Sequence, residues 1–336
     1  MNLVNIVYLG SLLSKKIVKD DTMSRTDVCK FCSSCKERTA FFSRSYSGER
    51  LCKKCFVDSI ESKVKNTINK YKMFRFDDKI AVALSGGKDS LNLLHILAKT
   101  EKNQQRASIT AIIIDEGIQN YRDEALEIAV SNCKQLGVQF KIVSFKDLYG
   151  LTLDEIISKR KKNDRPSSCA FCGVLRRKAI NYAARSVDAD KIATGHTLDD
   201  EVQTILLNIF HGDASRLIKG RPVSAAVHPC FVQKVKPLCE ILEKESTLYA
   251  YIKNIQFQNT PCPYASEAMR NDVRSMLNFM EQKHAGIKFT VFKTIEKIRP
   301  TLYKMDKKNQ FRNCYKCGEP SSSDLCKACE MLNQVG

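Results

Sequence analysis

Six consecutive residues, Ser85-Gly86-Gly87-Lys88-Asp89-Ser90, have the types and spacing to hold a phosphate. Paired glycines let backbone N–H groups close on an anion, Lys88 adds a mobile cation, and the serines add hydroxyls. The spacing is not that of a Walker loop, and a plain Gly-Gly turn is the competing reading. Fifteen cysteines form the second chemical signal. Cys32-x2-Cys35 and Cys52-x2-Cys55, around a loop carrying Ser47-Gly48, have the spacing of a four-thiolate structural zinc site. Cys29 is a fifth thiol that could replace one of the first pair. Cys314-x2-Cys317 and Cys326-x2-Cys329 lie within sixteen residues, too few to build an apolar core, so metal must supply the folding energy. Both sets are closed, which assigns zinc a structural role. Cys169-x2-Cys172 has no second pair nearby. Cys262, between Pro261 and Pro263, is its plausible third partner, and three thiolates on a [4Fe–4S] cluster would leave one iron open. A redox disulfide or ordinary thiols are the alternatives. Cys133, Cys230 and Cys239 read as buried inert thiols.

These groups need elements to place them. Lys79–Leu84 is an apolar run that reads as a strand, and a helix follows the glycines, so the helix N-terminus adds its positive dipole end to the loop. Strand and helix patterns alternate from there. Strands are expected over 109–114, 138–144 and 191–194, and helices over 122–136, 173–187 and 198–210. Such alternation predicts an α/β fold, a doubly wound parallel sheet with helices on both faces. Ligands in these folds sit beyond the C-terminal strand ends. That rim collects Ser85–Ser90, Ile114-Asp115 and Gly195-His196. Asp199, Asp200 and Glu201 open the next helix, either as dipole compensation or as Mg2+ or proton handling beside a bound phosphate. A polar helix over 59–71 links the first zinc module to the core, and 233–284 reads as mostly helical. Arg270 and Arg274 share one helix face there.

The chain of 336 residues has room for one large domain plus small modules. The expected division is an extension over 1–23, either disordered or ahead of a start at Met23, then a zinc module and linker helix over 24–70. A catalytic domain over 71–285 and a linker with the second zinc module over 286–336 complete it. No apolar run is long enough for a membrane span, and the lysines near the start follow the apolar stretch, the wrong order for a secretory signal. The CxxC-rich pattern without such a signal favours metal in a reducing, cytoplasmic compartment. The net charge of +18 suits a polyanion partner, with solvated lysines as the bland reading. Arg176, Arg177 and Lys178, with 159–162, could form a phosphate-binding surface.

The hexapeptide resembles the PP-loop of ATP pyrophosphatases. The wider set resembles the tRNA 2-thiouridine synthetases of the TtuA group, in the branch acting on wobble uridine. That set comprises Cys32–Cys55, Ser85–Ser90, Ile114–Ile118 with Tyr121–Asp123, Cys169–Arg177, Thr194–Glu201, Gly212–Ala214 with Arg216-Leu217, Cys262–Ala265 with Arg270 and Arg274, and the terminal knuckles. Thr197-Leu198 departs from the Asn-Ala frequent in that branch. The resemblance implies a PP-loop domain flanked by two zinc modules, with a [4Fe–4S] cluster on Cys169, Cys172 and Cys262. ATP contacts would fall on Ser85, Gly86, Gly87, Lys88, Asp89, Ser90, Ile114, Asp115, Arg176 and Gly195. Lys88 and the three central cysteines would be catalytic, with Asp199 as acid or base and Mg2+ on the triphosphate. The implied activity is ATP-dependent thiolation of uridine 34 in tRNA, a sulfurtransferase reaction. A ubiquitin-like sulfur carrier would deliver sulfur, and a second copy or paralogous subunit is the further implied partner. Thiolation of T-loop ribothymidine or of a tRNA cytidine, or a non-catalytic tRNA-binding role, are the alternatives.

Overall fold

The computed structural model describes residues 31–104, 108–160, 167–264, 269–305 and 311–335. Cys29, the extension over 1–23 and part of the 159–162 stretch lie outside them. The chain divides into two compact units, one ending at Phe56 and the other beginning at Val57.

In the first unit a hairpin, β1 (Phe42–Arg44) and β2 (Glu49–Leu51), turns at Ser47-Gly48. Its small core is Leu51 and Phe56, whose ring meets Phe42 edge-on at 5.0 Å. A helix, Lys53–Lys70, begins at the second knuckle, six residues earlier than the polar linker suggests.

The second unit is built on five parallel strands: β3 (Lys79–Leu84), β4 (Ser108–Asp115), β5 (Gln139–Ser144), β6 (Lys191–Thr194) and β7 (Gln233–Val235). Their order is β5-β4-β3-β6-β7. β3 lies at the centre, and four of its six residues are fully sequestered, as expected for a strand covered on both faces. Helices cover the strands through buried apolar residues such as Leu91, Leu93 and Leu94 of Lys88–Gln104 and Phe171, Leu175 and Ala179 of Ser168–Arg185. The chain leaves β3 for β4 on one side and returns to its other side with β6. The order in which the chain adds strands therefore reverses beside β3, where open α/β sheets bind ligands.

The mostly helical expectation for 233–284 is corrected. That stretch holds β7, the helix Glu243–Ile252, an extended segment through Tyr264 and the helix Met269–Lys283. β7 is three residues long and shows no usable periodicity. After the helix Ile287–Met305, two two-residue strands, β8 (Arg312–Asn313) and β9 (Pro320–Ser321), and the helix Lys327–Asn333 form the terminal module.

Candidate active site

The nucleotide loop hangs on β3. Gly86 takes φ +84°, and a Cβ there would lie 2.6 Å from the Ala125 carbonyl oxygen, so only glycine fits. Gly195, at the end of β6, approaches the loop helix so closely that a Cβ would meet the Ser90 nitrogen at 2.7 Å. The hydroxyl of Ser90 donates to the Gly87 carbonyl at 2.9 Å and lies 3.2 Å from that of Ser85, which accepts from the Gly87 N–H at 3.3 Å. The loop is thus closed on itself at the N-terminus of Lys88–Gln104, the geometry of an anion cradle.

Lys88 pairs with Asp89 at 3.0 Å and with Glu243 at 3.1 Å. Burial works against its charge, and the two carboxylates more than offset this, so its pKa lies above the ordinary lysine value. Burial raises the Asp89 carboxyl against the pull of Lys88. Asp89 Oδ1 is buried without a hydrogen-bond partner, and the charge of Asp200 also bears on this carboxylate. An orphaned carboxylate oxygen beside a phosphate cradle suits a hard divalent cation, and Asp89 and Asp200 have the oxygen donors Mg2+ requires.

Both carboxylate oxygens of Asp199 have partners. One oxygen pairs with Lys288 Nζ, and the other accepts from the Glu243 N–H at 2.7 Å. It thereby caps one helix and anchors another. Asp200 forms a capping box with Thr197 and lies 4.0 Å from Arg270. Arg270 also donates to Gln203 and Thr204, while Arg274 is exposed. Ile114 is buried, and Asp115 accepts from the Gly117 N–H at the end of β4.

An extended segment carries the central thiols to this rim. The Gln258 N–H donates to the Gly86 carbonyl at 2.9 Å, and its amide donates to the Tyr121 carbonyl at 2.6 Å. Six residues on, the Tyr264 hydroxyl donates to Asp154 at 2.7 Å, and its carbonyl accepts from Cys169 Sγ at 3.1 Å. Cys262 therefore lies on a strap tied at one end to the nucleotide loop and at the other to the CxxC helix. Cys172 is buried there, and burial pushes its thiol up to about 11 despite Arg176, which donates to its sulfur at 3.0 Å. Tyr121 lies near enough to Cys262 and Arg176 for their charges to act on its hydroxyl.

Among the described residues two four-thiol sets lie with all sulfurs within 4.8 Å, Cys32, Cys35, Cys52 and Cys55, and Cys314, Cys317, Cys326 and Cys329. A tetrahedral ion with Zn–S bonds of 2.3 Å needs sulfurs about 3.8 Å apart, so both sets fit zinc. Cys169, Cys172 and Cys262 do not form so tight a set. Three thiolates near one another are the donor set a [4Fe–4S] cluster with one open iron would take.

The PP-loop domain family matches residues 57–280. The chain belongs to the PP-loop family, in the group of the cytoplasmic tRNA 2-thiolation proteins. The Chlamydomonas reinhardtii "Cytoplasmic tRNA 2-thiolation protein 1" is 38% identical over 306 residues, 90% of this chain and 84% of that one. A "Probable sulfurtransferase" of Methanocaldococcus jannaschii is 37% identical over 300 residues, 87% and 85% of the two chains. The solved U34-tRNA thiolase NcsA from Methanococcus maripaludis, with its [4Fe–4S] cluster, superposes with a TM-score of 0.79 at 32% identity, covering 92% of this chain and 97% of that one.

Glu116 and Arg122 are buried in the site and escaped assignment from sequence. Their only sequence signal is membership of the Ile114–Ile118 and Tyr121–Asp123 motifs.

Proposed function

We propose that this chain is an ATP-dependent tRNA sulfurtransferase of the cytoplasm that thiolates wobble uridine 34 at C2. The observation that carries the reading is the strap. It brings Cys262 between the phosphate cradle and the Cys169/Cys172 helix, so nucleotide chemistry and thiol chemistry share one rim. The family membership and the net charge of +18 supply the polyanionic substrate. No described helix is long and apolar enough to cross a membrane.

In this mechanism ATP lies with its β- and γ-phosphates on the amides of the loop and on Lys88. The uridine C2 oxygen attacks the α-phosphate, and pyrophosphate leaves with its charge held by Lys88 and the helix N-terminus. Asp89 and Asp200 would hold Mg2+, which would screen the triphosphate charge. Asp199 acts indirectly, by fixing the helix that carries Glu243 and hence the Lys88 ammonium. Cys169, Cys172 and Cys262 would hold the [4Fe–4S] cluster, which would present the sulfur that replaces the adenylated oxygen at C2, with AMP as the leaving group. The target base must leave its stack, as anticodon-loop bases readily do. Sulfur arrives from a ubiquitin-like carrier thiocarboxylate, and a second copy or a paralogous subunit completes the assembly. The closed zinc sets are structural.

Anaerobic purification with iron and zinc analysis, followed by in vitro thiolation and nucleoside mass spectrometry, tests the reading. The expected result is four iron and two zinc, with 2-thiouridine formed at position 34 and lost in Cys262→Ala. Full thiolation by Cys262→Ala would overturn it. The appearance of 2-thiocytidine or a thiolated T loop instead would keep the fold and change the substrate.

A further inference from the structure

The nucleotide loop and the central thiols are joined by a chain of charged contacts. Arg122 Nη1 donates to the Ser85 carbonyl at 2.7 Å. Its Nε lies 2.9 Å from Glu116 Oε2, and Arg176 Nε lies 2.6 Å from Glu116 Oε1. Arg176 Nη2 reaches the Cys172 sulfur at 3.0 Å. The side chains of Glu116 and Arg122 are only 4% and 5% exposed.

We propose that Glu116 is a positioning residue that couples the occupancy of the nucleotide loop to the central thiol site. The inference rests on the cluster reading given above.

Charge balance is the first argument. One buried carboxylate serves two guanidiniums, which leaves one positive charge in excess. Arg176, whose side chain is 42% exposed, carries that excess at the edge of the buried Glu116–Arg122 pair, where an anion can reach it. The two ends of the chain supply anions, the triphosphate at one and the thiolate site at the other.

Peptide geometry is the second. A carbonyl and the following N–H belong to one planar trans unit and point in opposite directions. Arg122 grips the Ser85 carbonyl, so it directs the Gly86 N–H to the opposite side. Gln258, on the Cys262 strap, grips the Gly86 carbonyl and does the same for the Gly87 N–H. Both amides of the double-glycine turn are therefore oriented from the thiol side, with the Gly87 N–H meanwhile in its long bond to the Ser85 hydroxyl at 3.3 Å. A phosphate that draws on these amides pulls on Arg122 and on the strap, and Glu116 passes the first pull to Arg176 and Cys172.

The test compares anaerobically purified wild-type, Glu116→Gln and Glu116→Asp proteins, each titrated with a non-hydrolysable ATP analogue. Iron content, cluster midpoint potential and electron paramagnetic resonance spectrum are read with and without analogue. In the wild type the analogue shifts potential and spectrum. Glu116→Gln is expected to keep its iron, to bind the analogue about tenfold more weakly and to lose the shift, and Glu116→Asp to regain part of it. An unchanged shift in Glu116→Gln, or no shift in the wild type, overturns the coupling while leaving the cluster assignment intact. A wild type without iron overturns both. Should Glu116→Gln lose its iron, Arg122→Lys gives the same reading, because it leaves the Glu116–Arg176 pair in place. A lost shift then supports the coupling, and a retained one removes it.

Discussion

The two four-cysteine sites gather their thiols equally tightly, but their surroundings differ. At the first, the cation beside the sulfurs comes from the module itself, as Arg38 donates to Cys52 at 3.2 Å and to Cys55 at 3.7 Å. At the second it comes from the helix Ser168–Arg185, where Lys178 donates to Cys317 at 3.1 Å. Cys314, Cys326, Ala328, Cys329 and Met331 share one buried cluster with Phe171, Cys172, Leu175 and Ala179. Arg185 of the same helix pairs with Glu319. The first module closes within its own compact unit. Identical ligand chemistry thus does two jobs. One zinc site organises a module that folds on its own contacts, and the other completes the core that supports Cys169 and Cys172.

If that contrast holds, the largest effect follows from opening the second site. Cys329→Ser is expected to reduce zinc from two to one and to remove folding free energy on the order of 10 kcal/mol, the scale of structural zinc binding. Because the module shares its core with the CxxC helix, iron should be lost as well. Metal analysis together with a thermal melt checks this, and full iron retention would show that the two regions are independent.

The apolar seam comes next. Met331 is 1% exposed in the shared cluster, and Met331→Ala should cost about 2–5 kcal/mol in denaturant unfolding while both zinc ions remain bound. A cost below about 1 kcal/mol would mean that the seam relaxes freely and that metal alone holds the module. A smaller effect is expected of Lys178→Met, which keeps the aliphatic stem and removes the ammonium from Cys317. A loss of about 1–3 kcal/mol is the range for a hydrogen bond to a charged group. The ammonium pKa is raised above the ordinary lysine value, with burial opposed by the bond to Cys317 and the neighbouring thiol charges. A group whose folded pKa is raised stabilises the fold below its unfolded pKa and loses that contribution as pH rises through the folded value. The Lys178→Met deficit should accordingly be complete at neutral pH and shrink only in strongly alkaline solution.

What the sequence made legible follows from range. Ser85–Ser90 and the CxxC knuckles are local, so residue type and spacing were enough to find the phosphate cradle and the two closed thiol sets. The parallel sheet was legible because β3 and β4 are long apolar runs. β7 was not, being three residues placed by pairing with β6. The acid–base role of Asp199 was implied by the resemblance and not by its own segment. Its partners, Lys288 and the Glu243 amide, come from 89 and 44 residues away and could not be read from its own segment. Glu116 and Arg122 were visible as motif members, but their geometry depends on three elements meeting in space.

The smallest effect on the catalytic unit is expected from the mirror-image change, Cys55→Ser. Zinc should again fall from two to one, since three thiols leave the tetrahedral site open and Arg38 faces a set with less negative charge. The first module should loosen, because Phe56 and Leu51 pack beside the knuckles that the metal pins. In the second unit iron content and ATP-analogue affinity should stay within about twofold of wild type, as expected for sites that share no partners. The tRNA affinity is the quantity to watch, measured over a range of salt concentrations. A weaker complex with a shallower salt slope would assign phosphate contacts to the first module. Loss of iron in Cys55→Ser, equal to that in Cys329→Ser, would erase the distinction between the two sites.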